Sequence, residues 1–203
     1  TAPDNLSPRN SGIANLYGVE FEIRKALSTA EEGILRNFFV GANVSLVQSA
    51  VDLQSVQVNE EGKTEYDLRT DFARIDANGN QVENIDRYRP MAGQSPYAIN
   101  GTLTYESKES GTSVSVAYNV QGEQLSIIAS GRVPDVYTIP FHSLNFNASQ
   151  DLGAERSSQI TFGIRNILND DRTMVYRSYE AEDQIYTTFL PGVQFRLRYT
   201  YNF

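Results

Sequence analysis

The strongest constraint on this chain is a two-residue alternation of apolar and polar side chains that returns in seven separate segments. It is clearest at the end, where Val193, Phe195, Leu197, Tyr199, Tyr201 and Phe203 alternate with Gln194, Arg196, Arg198, Thr200 and Asn202. Successive side chains of a strand point to opposite faces, so this spacing writes one apolar and one polar face. Upstream, Tyr17, Val19, Phe21 and Ile23 alternate with Glu20, Glu22 and Arg24. The same pattern covers Phe38 to Leu46, Tyr97 to Tyr105, Val114 to Val120, His142 to Ala148 and Ile160 to Ile164. Helical spacing is hard to find, so the expected class is all-β with seven or so antiparallel strands. Several of these strands reach about 10 residues, against roughly 5–6 in an average soluble protein. About 9–11 tilted residues cross a bilayer.

The connections are sorted by length. Residues 28–34, 108–111 and 153–156 read as short turns, each with a Gly among small or charged residues. Between them lie long stretches at 52–96, 129–141 and 170–186. Strict alternation of tight turns and long loops is the habit of outer-membrane β-barrels, with the long loops outside. Charge follows the loops: of the net −8, residues 52–96 supply −4 and residues 170–186 supply −3.

Composition removes other classes. No apolar run exceeds three residues, which excludes a transmembrane helix. Without Cys and with one His, neither a disulfide framework nor a zinc finger is expected, and no metal site or cofactor is assigned. Three Lys and an acidic balance argue against nucleic acid as a partner. The polar strand faces carry Asn, Ser, Thr, Gln and Arg rather than the Lys and Glu of a solvent-facing surface, which suits a wet lumen better than a lipocalin-like exterior. The apolar faces are aliphatic in mid-strand with Tyr and Phe toward the ends, as lipid-facing girdles are. Outer-membrane lipid is then the first partner. Seven is odd, whereas bacterial barrels have even strand numbers. The expectation is therefore that residues 1–12 are the tail of an extracellular loop and that 13–203 form the C-terminal part of a larger transmembrane β-barrel.

Three stretches carry a family resemblance. Arg89-Pro90-Met91-Ala92-Gly93-Gln94-Ser95-Pro96-Tyr97 ends a long loop and leads into a strand starting Ala98-Ile99-Asn100. Val114 to Val120, containing Ser-Val-Ala-Tyr-Asn-Val, runs on to Gly122-Glu123. Phe162-Gly163-Ile164-Arg165-Asn166-Ile167-Leu168-Asn169 closes the penultimate strand before a last strand ending Tyr199-Thr200-Tyr201-Asn202-Phe203. This order resembles the C-terminal barrel strands of TonB-dependent outer-membrane transporters, above all the carboxypeptidase-regulatory-like and SusC-like subgroup. The resemblance implies a barrel of about 22 strands, an N-terminal plug domain and an energy-coupling box, neither of which lies in these residues. It implies import of a nutrient (glycan, peptide or metal chelate) across the bacterial outer membrane, energised through the TonB complex, with a surface lipoprotein lid as a further partner. It also implies that Tyr199, Tyr201 and Phe203 form the signal read by the barrel-assembly machinery. An outer-membrane barrel that anchors surface or secretion partners without transport is the alternative.

Glu20 and Glu22 sit on one face roughly 7 Å apart, a spacing glycosidases use. Arg24 continues that face, so a charge-balanced lumen wall is the simpler reading and no enzyme activity is expected. Arg165, Arg196 and Arg198 fall on the lumen face of neighbouring strands, for contact with an anionic substrate or with acidic groups of the plug. Tyr176, Tyr179 and Tyr186 are outer-loop candidates for stacking on a substrate, or for packing within the loop. His142 reads as an interfacial histidine. Asp76-Ala77-Asn78-Gly79-Asn80 has part of a calcium-loop pattern without its spacing, and an Asn-Gly turn is the plainer reading.

Overall fold

The computed structural model describes residues 12–29, 33–58, 61–129, 133–153 and 155–201. Residues 1–11 of the expected tail at 1–12 and the terminal aromatic Phe203 lie outside the described residues. So do parts of the short turns at 28–34 and 153–156.

The chain is all-β, with antiparallel sheets. Its strands are β1 (Ala14–Ala26), β2 (Phe38–Asp52), β3 (Tyr88–Arg89), β4 (Tyr97–Ser107), β5 (Thr112–Gln121), β6 (Gln124–Ile127), β7 (Asp135–Thr138), β8 (Phe141–Leu152), β9 (Ser158–Arg165), β10 (Arg172–Arg177), β11 (Gln184–Phe189) and β12 (Gln194–Tyr201). One short helix, α1 (Glu65–Asp71), follows β2. No described helix is long and apolar enough to cross a membrane.

The seven segments of alternating sequence are the seven strands of one meander, in the order β1-β2-β4-β5-β8-β9-β12, with β3 paired to the far end of β2. Register keeps the faces sorted from strand to strand. Phe21 faces Val44, then Ile99, Val120 and His142 along one row. The next row pairs Glu22 with Asn43, Asn100, Asn119 and Ser143. A slip of one residue anywhere would exchange the two faces, so the alternation excludes every odd shift and the turns select among the even ones. Tight turns close one end. At β4–β5 the chain reverses through Gly111 at φ 67°, where a Cβ would come within 2.7 Å of the Asp151 side chain.

The strands are stepped relative to each other. The row that starts on Ala26, the last residue of β1, passes through Phe39, Thr104, Ser115, Asn147 and Gly163 and arrives at Arg196, near the start of β12. Such stagger is the shear of a tilted sheet. β1 and β12 do not pair with each other, so the sheet is open.

The long connections differ from the expected open loops. β6, β7, β10 and β11 form a second sheet in the order β11-β10-β7-β6. Each of its strands is separated by a short break from a strand of the meander: β5 from β6, β7 from β8, β9 from β10, β11 from β12. The neighbour order is the same in both sheets, so the second continues the first beyond a line of breaks at Gly122, Pro140, Asn166–Asp171 and Pro191-Gly192. Pro140 and Pro191 interrupt the ladder because they lack an N–H, Asn166, Asn169 and Gly192 because they take left-handed backbone, and Gly122 packs against the Tyr97 ring where a Cβ would not fit. Their neighbours then resume as strands. The first connection adds α1, opened by a capping box in which Thr64 and Asp67 satisfy each other's backbone N–H groups.

Candidate functional site

The second sheet, α1 and the connection around it form a cap, and among the described residues the buried apolar side chains, Val51, Leu53, Val56, Ala73, Val120, Leu125, Val136 and Val175, all lie in this cap or at the strand ends beneath it. Leu125 and Leu53 are 0% and 2% exposed, whereas Phe21 and Leu197 on the meander's apolar face are 63% and 70% exposed. None of the described residues covers that face. Along it, Tyr17, Tyr97 and Tyr118 lie toward the cap, and Tyr105, Tyr199 and Tyr201 toward the tight turns. Phe21, Val44, Leu103, Val116 and Phe146 fill the span between. His142 is on the same face at the cap end, its Nδ1 2.7 Å from the Tyr118 hydroxyl.

The polar face holds both expected charge groups but does not bring them together. Glu20, Glu22 and Arg24 are on β1 at one edge of the sheet, and Arg165, Arg196 and Arg198 are on β9 and β12 at the other. Glu22 pairs with Arg24 at 2.6 Å, and Glu20 accepts a hydrogen bond from the Asn43 amide. Both carboxylates therefore have local partners, as a charge-balanced wall requires. Among the described residues, Arg165, Arg196 and Arg198 have no ion-pair partner. Between the two edges the face is nearly all amide and hydroxyl.

The cap is held by a network that links all three long connections. Arg89, 8% exposed, donates to both oxygens of Glu65 at 3.1 and 3.3 Å. Arg69, one helical turn beyond Glu65, reaches it at 3.0 Å and grips both oxygens of Asp135 at 2.9 Å. Burial acts against the Arg69 charge, but Asp135 and Glu65 outweigh it and raise its pKa above the ordinary arginine value. Arg177 binds Glu123 and Asp183, holding Asp183 well below the usual carboxylate range, and stacks over Tyr137 at 4.9 Å. Arg74 meets Glu180 at 3.3 Å. Of these residues, Arg89 and Glu123 belong to the sequence stretches that carry the resemblance. The Thr64–Asp67 box was a readable signal; the long-range pairs left none.

The remaining expectations fall in the cap. Tyr176 and Tyr186 meet edge-to-face at 5.2 Å across β10 and β11, while Tyr179 stands apart in the turn between them, partly exposed. Asp76 accepts the N–H groups of Asn78 and Asn80 at 2.8 Å, and these bonds lower its pKa. With Gly79 at φ 83°, the Asp76–Asn80 stretch is a hairpin turn. No metal-ligating cluster occurs among the described residues. Asn166, 5% exposed at φ 53°, donates to the carbonyls of Asp170 and Gly192 and accepts from Asp170 N–H. It thereby ties the end of β9 to the start of β12, which gives the asparagine of that motif a structural reason. A cleft of about 490 Å³ opens on the polar side of the line of breaks, between the meander and the cap sheet.

These features define a class: an all-β chain made of a long, open antiparallel meander with a sheet-and-helix cap. Comparison with protein-family models, curated proteins and solved structures finds no match to the chain in any of the three.

Proposed function

We propose that this chain is a section of the wall of an outer-membrane β-barrel, of the TonB-dependent transporter type, taking part in energised nutrient import. The observation that carries the reading is the uncovered apolar face, which runs unbroken across seven strands and changes from aliphatic and Phe at mid-height to Tyr toward both ends. A bilayer covers such a face; water does not. The one-directional stagger of the strands is the shear that barrel closure needs. In this arrangement the polar face lines the lumen, the tight turns face the periplasm and the cap stands outside the cell. Arg165, Arg196 and Arg198, with no partner of their own, are available to a plug domain or an anionic solute. The cap offers a preformed surface to a lidding lipoprotein.

Because these residues include no Cys, orientation is testable with single cysteines. Ala77→Cys in the cap and Ser110→Cys in a tight turn are labelled on intact cells with a membrane-impermeant maleimide. The cap position should react at once, and the turn position only after the outer membrane is permeabilised. The reverse order would invert the topology, and equal labelling would contradict a membrane wall. Crosslinking of the intact protein to TonB separates a transporter from a barrel that only anchors partners.

A further inference from the structure

The cleft at the line of breaks has a floor and a roof of neutral hydrogen-bonding groups. Asn100, Asn119 and Gln121 rise from the meander's polar face, and Gln124 and Thr138 come down from the cap sheet. One cation joins them. Arg172, the first residue of β10, stands in the lining with its guanidinium 4.6 Å above the ring of Phe141.

What sets Arg172 apart is its lack of a carboxylate. The other described arginines of the cap, Arg69, Arg74, Arg87, Arg89 and Arg177, each form an ion pair. Among the described residues Arg172 has no ion-pair partner, although two acids precede it in the chain. The Asp170 carboxylate is turned to the backbone N–H groups of His142 and Asp171, at 2.6 and 3.0 Å, and Asp171 makes no ion pair. A guanidinium stacked on an aromatic face keeps its N–H edge free and fixed in direction, which is the presentation that grips a carboxylate with two parallel bonds. Around it, side-chain amides offer donor and acceptor together, which suits hydroxyl or peptide groups rather than further charge. The cleft volume falls in the range of small-molecule sites.

We infer that this cleft binds a ligand carrying one carboxylate next to neutral hydrogen-bonding groups, with Arg172 clamping the carboxylate and Asn100, Asn119, Gln121 and Gln124 holding the remainder. An acidic sugar and a peptide C-terminus share this chemistry. The inference holds whatever covers the apolar face, because the cleft is on the opposite side of the sheet.

The test uses the purified intact protein and calorimetric titration with two matched pairs: galacturonate against galactose, and trialanine against trialanine amide. In at least one pair the acid should bind about tenfold more tightly than its neutral analogue. Arg172→Gln, which keeps most of the stem over Phe141, should abolish that preference and leave the neutral analogue's affinity unchanged. Arg172→Lys should retain part of it. Unchanged melting and circular dichroism confirm that both variants fold. The pair that responds identifies the source of the carboxylate. Acid and neutral forms binding alike, a preference that survives in Arg172→Gln, or no saturation by any of the four up to about 10 mM would each overturn the assignment.

Discussion

The meander and the cap are built from one chain by opposite means. The meander is held by its hydrogen-bonded ladder and by cross-strand pairs such as Phe38 on Tyr105, 5.0 Å between centroids, yet it buries neither face. The cap has shorter strands and more acid, yet, together with the ends of β2 and β5 beneath it, it holds the buried apolar residues, and it carries the ionic network of Glu65, Arg69, Arg89 and Asp135. A sheet with two bare faces takes its stability from what surrounds it. A cap with its own core does not, and it can keep one shape in water.

The largest separation between the two regions should come from charge on the apolar face. Val116→Arg puts a cation where we place lipid, at a cost of roughly 2–4 kcal/mol near mid-bilayer. Thr102→Arg, on the polar face, should be far milder. Heat-modifiable mobility of the outer-membrane fraction reads the amount of assembled barrel. Equal loss for both would contradict the sorting of faces, and the reverse order would favour a soluble barrel with its apolar face inside.

A smaller and more local effect should follow from cutting the network. Asp135→Ala leaves Arg69 with Glu65 as its only remaining acid and removes the acceptor of Ala129 N–H, a loss of about 2–3 kcal/mol. Limited proteolysis should then cut within the cap while the meander stays assembled. Loss of both together would mean that cap and sheet fold as one unit.

The smallest effect is that of acid. Arg177 depresses the Asp183 pKa, so this carboxylate stabilises the fold above its unfolded value, about 3.9, and the contribution disappears as pH falls through the lower folded value. Asp76, lowered by its turn N–H groups, acts with the same sign. Hydrogen exchange should show the β10–β11 turn loosening below about pH 4, before the meander responds. A loosening on the alkaline side would contradict the pairing.

The meander was legible because each of its strands is long enough for the two-residue period to repeat several times. The alternation restricts the register to shifts of an even number of residues, and the turns set which of these is adopted. The cap strands obey the same rule but are too short to announce it. Leu125 and Ile127, or Val136 and Thr138, give two repeats between Gly and Pro residues that read as loop. The network was invisible for another reason: Arg69 and Asp135 are 66 residues apart, and no local pattern couples them. Period two assigns Glu20, Glu22, Arg24, Arg165, Arg196 and Arg198 to one polar face, but the distance between the two groups depends on how many strands intervene, which no local pattern states. Arg172 has the local sequence of any loop arginine, and only the ion pairs of the other described cap arginines set it apart.

The central claim is that adjacent residues of one strand face lipid and water in turn. Single cysteines from Val114 to Val120, spin-labelled in the intact, reconstituted protein, measure this directly through collision with oxygen, which concentrates in lipid, and with a water-soluble nickel chelate. Oxygen accessibility should peak at 114, 116, 118 and 120, and chelate accessibility at 115, 117 and 119, in opposite phase through the strand. Chelate reaching both sets equally, or oxygen favouring the set that contains Ala117 and Asn119, would contradict it.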